Sequence, residues 1–192
     1  MNAFNRFAHR PLLLLAMFLA TFLTTLAGAS FIQADISEGQ YLLKTAYQGE
    51  DNCLDGNRFA PESTLGGSAF MSSCIEFAGQ LFNIEAAQKP GFFLLKTDFM
   101  GDDYCLHGNR VSPNATLRGA AFMAPCYQST SGQLWWMEPY GDGYVLLKTL
   151  HRGQAKCLEG NNFDANATLS GAAFMASCDD PADGQLWKLE QL

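Results

Sequence analysis

Cys53-Leu54-Asp55-Gly56-Asn57 returns 52 residues later as Cys105-Leu106-His107-Gly108-Asn109, and after a further 52 as Cys157-Leu158-Glu159-Gly160-Asn161. The match runs outward in both directions. Upstream, Leu42-Leu43-Lys44-Thr45 recurs as Leu94-Leu95-Lys96-Thr97 and Leu146-Leu147-Lys148-Thr149. Downstream, Thr64-Leu65 recurs as Thr116-Leu117 and Thr168-Leu169, and Ala69-Phe70-Met71 recurs as Ala121-Phe122-Met123 and Ala173-Phe174-Met175. Each unit closes on Gly-Gln-Leu-aromatic: Gly79 to Phe82, Gly132 to Trp135 and Gly184 to Trp187. A fixed period of this length marks a structure built from three copies of one supersecondary unit, here residues 41–91, 92–143 and 144–192.

Within a copy, four short apolar pieces are cut by Gly, Asn, Asp and Pro, and no stretch after residue 40 keeps an apolar stripe of helical period for three turns. The expectation is an all-β domain of twelve short strands. Gly56-Asn57 and Gly108-Asn109 supply turn chemistry that tolerates left-handed backbone. Leu54, Leu106 and Leu158 alternate with polar neighbours and are expected to point inward. Phe70, Phe122 and Phe174, with Met71, Met123 and Met175, read as packing layers rather than as a ligand box.

The six cysteines obey the same period. Any pairing that respects it joins Cys53–Cys74, Cys105–Cys126 and Cys157–Cys178, each closing a loop of about twenty residues worth roughly 3 kcal/mol. There is no C-x-x-C and no Cys/His cluster, so disulfides in an oxidising compartment are expected rather than metal. The N-terminus agrees. Arg6, His9 and Arg10 precede an uncharged run from Leu12 to Leu26, and Ala27-Gly28-Ala29 offers a cleavage point before Ser30. Residues 1–29 therefore read as a signal peptide and 30–192 as the mature domain, secreted or periplasmic; an uncleaved membrane anchor is the alternative. Cleavage moves the net charge from −7 to −9, because Arg6 and Arg10 leave and no acidic residue does. Such a chain has little affinity for phosphate backbones or anionic membranes, which argues against nucleic-acid partners.

At the residues quoted above, the chain resembles the ricin B-type (R-type) lectin repeats, over residues 41–192. The resemblance rests on a Cys-apolar-Asp strand, a second cysteine about twenty residues on, and a Gln-x-aromatic close. It implies a β-trefoil: a six-stranded barrel capped by three hairpins. It also implies a sugar pocket made by an Asp two residues after the first Cys, a ring two before the second Cys, and a polar residue followed by the Gln. The Asp position holds Asp55, His107 and Glu159; the ring position holds Ser72, Ala124 and Ala176; the polar position is Gly79, Gly132 and Gly184. Asp55, Asn57 and Gln80 are thus the family-matched candidates in repeat 1.

Repeat 2 supplies a different candidate. Tyr104, Tyr127, Trp136 and Tyr140 break the three-fold pattern, and Trp136 follows the core Trp135, so alternation turns it outward as a platform for a sugar or a protein, with His107 beside it in the same repeat. No nucleophile elbow, metal-spaced His pair or phosphate loop is present, so no catalytic residue and no cofactor are expected. The acidic pairs Glu50-Asp51, Asp102-Asp103 and Asp179-Asp180 lack the spaced oxygens of a calcium loop and read as solvated turns. Asn114-Ala115-Thr116 and Asn166-Ala167-Thr168 are glycosylation sequons or plain turns. The expected function is a monomeric, non-catalytic module binding a glycan or glycoprotein. The competing class is a trefoil for protein contact, such as a protease inhibitor or adhesion module.

Overall fold

In the computed structural model, residues 34–56, 68–108, 120–160 and 172–192 are described, and all belong to one compact unit that starts at Phe31. The stretch read from sequence as a signal peptide, together with Asn57, Asn114 and Asn166, lies outside the described residues. Twelve strands are present among the described residues: β1 (Gly39–Thr45), β2 (Asn52–Asp55), β3 (Phe70–Ser73), β4 (Phe82–Ala86), β5 (Phe93–Thr97), β6 (Tyr104–Gly108), β7 (Ala121–Pro125), β8 (Trp135–Gly141), β9 (Tyr144–Thr149), β10 (Lys156–Glu159), β11 (Phe174–Ser177) and β12 (Trp187–Gln191). Six close into a barrel in the order β1-β12-β9-β8-β5-β4, and the others form the hairpins β2–β3, β6–β7 and β10–β11. This is the β-trefoil that the resemblance implied, built from the twelve strands that the repeats predicted. Closure removes the exposed edges that a β-protein must otherwise protect.

The repeated residues build the core three times over. Leu54, Leu106 and Leu158 are fully buried and join Met71, Met123, Met175, Phe82, Trp135 and Trp187 in one cluster. Contacts across this cluster run from copy to copy. A Cβ placed on Gly56 would touch Met123, one on Gly108 would touch Met175 and one on Gly160 would touch Met71, each within about 3.0 Å of sulfur. Only glycine leaves room for the neighbouring thioether. Around the same axis Ala69 N–H donates to Ala121 O (2.8 Å), Ala121 N–H to Ala173 O (2.7 Å) and Ala173 N–H to Ala69 O (2.8 Å), closing a ring of three hydrogen bonds. The Phe of each Ala-Phe-Met triplet faces the other way from its Met, so only the Met contributes to this central cluster.

The closing aromatic does two jobs. Trp135 Nε1 donates to Leu106 O and Trp187 Nε1 to Leu158 O, both at 2.8 Å, tying each barrel strand to its hairpin. Phe82 fills the same layer in repeat 1 and has no N–H to donate. The three disulfides pair as the period requires, Cys53–Cys74, Cys105–Cys126 and Cys157–Cys178, with Cα separations of 5.1, 5.0 and 5.6 Å. These are ordinary bridge separations and imply maturation in an oxidising environment. Lys44 is buried between Glu50 and Glu190, and Glu50 also bonds Lys188, which lowers its carboxyl to about 2. Among the described residues no helix is long and apolar enough to cross a membrane.

Candidate functional site

The outer faces of the three hairpins carry the polar residues of the repeat. Register opposes Cys53 to Ser72 and Asp55 to Phe70; Cys105 to Ala124 and His107 to Phe122; Cys157 to Ala176 and Glu159 to Phe174. Directly opposed residues share a face, and alternation has already sent the Leu and Met between them inward. Each hairpin therefore presents a disulfide, one polar side chain and one Phe on a single surface.

A buried glutamine braces each of these surfaces. Gln80 Oε1 accepts from Ile75 N–H (3.0 Å), while its Nε2 donates to Ser73 O and Ser72 Oγ, both at 2.8 Å. Gln133 repeats the pattern on Tyr127 N–H and Pro125 O, and Gln185 on Ala182 N–H and Ser177 O. The glycine before each glutamine accepts at its carbonyl from the glycine after the polar residue: Gly56 N–H to Gly79 O (2.8 Å), Gly108 N–H to Gly132 O (2.9 Å) and Gly160 N–H to Gly184 O (2.9 Å). Both polar ends of Gln80 are used inside the fold, so its role is to hold the loop after the second cysteine in place.

On this common frame the three copies differ. In repeat 1 Asp55 and Phe70 are buried, at 5% and 6% exposure, and Asn57 lies outside the described residues. In repeat 2 the His107 ring stacks on Phe122, with centroids 5.1 Å apart, and lies against Gly132. Burial, reinforced by the charge of His151, pushes its pKa down from 6.5 to about 4, and among the described residues Nδ1 has no hydrogen-bond partner. The imidazole occupies the space that a side chain before Gln133 would need, so repeat 2 has filled its own pocket. In repeat 3 Glu159 and Phe174 are only half-buried, and Gln185 Nε2 donates to Glu159 Oε2 at 3.3 Å.

The tight fit in repeat 2 has a measurable consequence. A Cβ on Gly132 would stand 2.4 Å from His107 Cε1. Gly132→Ala is therefore expected to cost about 1–3 kcal/mol, the range of overpacking in a filled site. Combining it with His107→Ala removes the clash, so the double variant should be less destabilised than the sum of the single ones. Urea denaturation of the four proteins reads this, and strict additivity would show that the ring and the glycine do not share that space.

Trp136 is not the exposed platform that alternation suggested. It does face away from Trp135 and the barrel interior, yet only 2% of it is exposed. A second apolar layer covers it: Phe92 meets it edge-on at 5.9 Å, with Leu94, Leu134 and Cys105 alongside and Cys126 at the margin. The signal was present in Leu134-Trp135-Trp136-Met137, an unbroken apolar run of the kind found in strands buried on both faces. Of the other repeat 2 rings, Tyr127 and Tyr140 are exposed and Tyr104 is half-buried against the core. Among the described residues no group of three or more His, Cys, Asp or Glu side chains is placed to hold a metal ion.

No family model matches the chain, and no curated protein matches it. Solved structures do. A designed three-fold symmetric protein, ThreeFoil, superposes with a TM-score of 0.58 at 23% identity, covering 81% of this chain and all of its own. A β-trefoil called BEL gives 0.60 at 12% identity over 85% of this chain and all of its own. SeviL, solved bound to an asialo-GM1 saccharide, gives 0.55 at 12% identity over 81% of this chain and 98% of its own. At these identities the likeness is one of fold, and the fold is the β-trefoil.

Proposed function

We propose that the chain is a secreted, non-catalytic carbohydrate-binding module whose ligand sites are the outer faces of hairpins 1 and 3. One observation carries this reading: Asp55 and Glu159 each lie directly across the hairpin from a Phe, and Glu159 accepts from the buried Gln185. A carboxylate accepts sugar hydroxyls through charge-assisted bonds, and a neighbouring ring takes the apolar face of a pyranose. SeviL, of the same fold, was solved with a saccharide bound, which supports the ligand class. Asp55 remains the family-matched acceptor, with Asn57 the other family-matched candidate, and Gln80 holds the loop after Cys74 in place. Glu159 joins it because its hairpin face is the more open of the two. His107 leaves the set because its ring, stacked on Phe122, fills the space before Gln133, and Trp136 leaves it because the layer of Phe92, Leu94 and Leu134 covers it.

Without a ring at Ser72, Ala124 or Ala176, the expected affinity is about millimolar, or roughly −4 kcal/mol per site. A glycan array followed by titration calorimetry on Asp55→Ala, Glu159→Ala and the double variant tests the sites. At least a tenfold loss is expected in the double variant, and EDTA should change nothing. If the double variant binds as well as wild type, the hairpin faces are not the sites. A second reading, protein contact, draws on Ile75, Phe77 and Phe99, which are 59%, 63% and 46% exposed. Phe99 N–H donates to Ala78 O, bringing its backbone to the same loop, and Glu76 at its apex takes a φ of 54°. It takes over if wild type binds no glycan.

A further inference from the structure

The hairpins spring from the ends of β1, β5 and β9, so the far end of the barrel is where β8 turns into β9. That end holds a cavity of about 510 Å³, within the usual range for small-molecule sites. None of the repeated motifs reaches it. The segment before β1 forms one wall, pinned by Ala34 N–H donating to Met137 O at 2.8 Å, and Ile36 from that segment packs on the core. Ile36, Tyr41 and Val145 give the cavity an apolar lining, and the Tyr41 hydroxyl, bonded to Ser37 O at 3.0 Å, fixes that ring.

Among the described residues the margin is polar and uncharged apart from one acid. Asp35 and Gln191 line the opening, both exposed, and among the described residues neither side chain has a hydrogen-bond or ion-pair partner. Tyr144 adds a half-buried ring with a hydroxyl. The turn Gly141-Asp142-Gly143 takes positive φ throughout, and nothing lies within 4 Å of where a Cβ on either glycine would stand. Among the described residues no lysine, arginine or histidine lines the cavity, so an anionic ligand would meet the Asp35 carboxylate without a counter-charge from them.

We propose that this end of the barrel is a second ligand site, separate from the hairpins, that takes a neutral saccharide. Asp35 accepts hydrogen bonds from sugar hydroxyls, Gln191 both donates and accepts, and the ring of Tyr144 with the lining of Ile36, Tyr41 and Val145 takes the apolar face of the sugar. It shares with the hairpin reading only the class of ligand.

Lactose, maltose and N,N′-diacetylchitobiose serve as neutral probes, with glucose 6-phosphate as the anionic one, in backbone amide NMR titrations of the purified protein. The expected result is saturable shifts at Ser37, Gly143, Tyr144 and Gln191 with at least one neutral probe, and binding at least tenfold weaker for the phosphate. Gln191→Ala and Tyr144→Ala should each weaken those shifts several-fold, while Asp55→Ala with Glu159→Ala leaves them intact. Shifts confined to the hairpin faces would overturn this site and leave the hairpin reading standing. Shifts confined to the barrel end would do the reverse. No saturable shift with any neutral probe overturns the barrel-end site, and so does tighter binding of the phosphate than of all the neutral probes.

Discussion

Trp187→Ala is expected to lower the free energy of unfolding by roughly 3–5 kcal/mol, the cost of removing a large aromatic from a packed core. Three effects combine in it. The ring is fully buried in the central cluster, its Nε1 holds Leu158 O at 2.8 Å, and its edge fills the space over Gly160. Truncation therefore opens a cavity and leaves a buried carbonyl short of its donor. The same substitution at Trp136 is expected to fall in the same range, although the side chain lies outside the barrel, because Phe92, Leu94 and Leu134 close over it. Guanidinium denaturation with tryptophan fluorescence compares the two variants on one footing. A Trp136→Ala protein as stable as wild type would mean that this outer layer opens to solvent and that the site is a surface after all.

Periodicity made the fold legible because the burial constraint is applied three times to the same residues. Leu54, Leu106 and Leu158 lie inward, and the cysteines pair within copies, for reasons visible in any one copy and repeated in the others. Trp136 escaped this logic because alternation gives a direction, whereas exposure depends on what a second layer brings to that side. Here that layer comes from Phe92 and Leu94, some forty residues earlier, and from the second disulfide.

The candidate site was legible as a place but less so as a set of roles. Asp55, Ser72, Gly79 and Gln80 do converge, through strand register, the Gly56–Gly79 bond and the Gln80–Ser72 bond. Gln80 looks like a ligand residue in sequence, yet both its polar ends are committed to neighbours about five to eight positions away. Gly132 looks like a lost polar contact, and its structural reason is the His107 ring lying where a Cβ would be. The barrel-end cavity left no trace in the repeats, since Asp35 precedes the first copy and Tyr144 and Gln191 meet it only through barrel closure.

His107 ties the fold to pH. Its folded pKa of about 4 lies below the 6.5 of an unperturbed imidazole, so the native state prefers the neutral ring and the unfolded chain binds the proton first. Above pH 6.5 neither state is protonated and the neutral ring carries no penalty. As pH falls below 6.5 the unfolded state gains a proton that the native state refuses, and stability is lost progressively until about pH 4, where the native ring protonates too. The full shift corresponds to about 3 kcal/mol. The cause is local: the ring is sandwiched between Phe122 and Gly132, and among the described residues Nδ1 has no partner that could share the charge. Glu50, held at about 2 by Lys188 and Lys44, loses its contribution only at lower pH, as the carboxyl of the unfolded chain takes up its proton near 4.5 and below. The interval from pH 6.5 to 4.5 therefore belongs mainly to the imidazole. Unfolding free energies measured by urea titration at half-unit steps should fall across that interval in the wild type and stay nearly level in His107→Asn. Proton NMR of the ring should place the native midpoint near 4. A midpoint near 6.5, or parallel slopes in the two proteins, would show that the ring is hydrated and that the repeat 2 pocket is open.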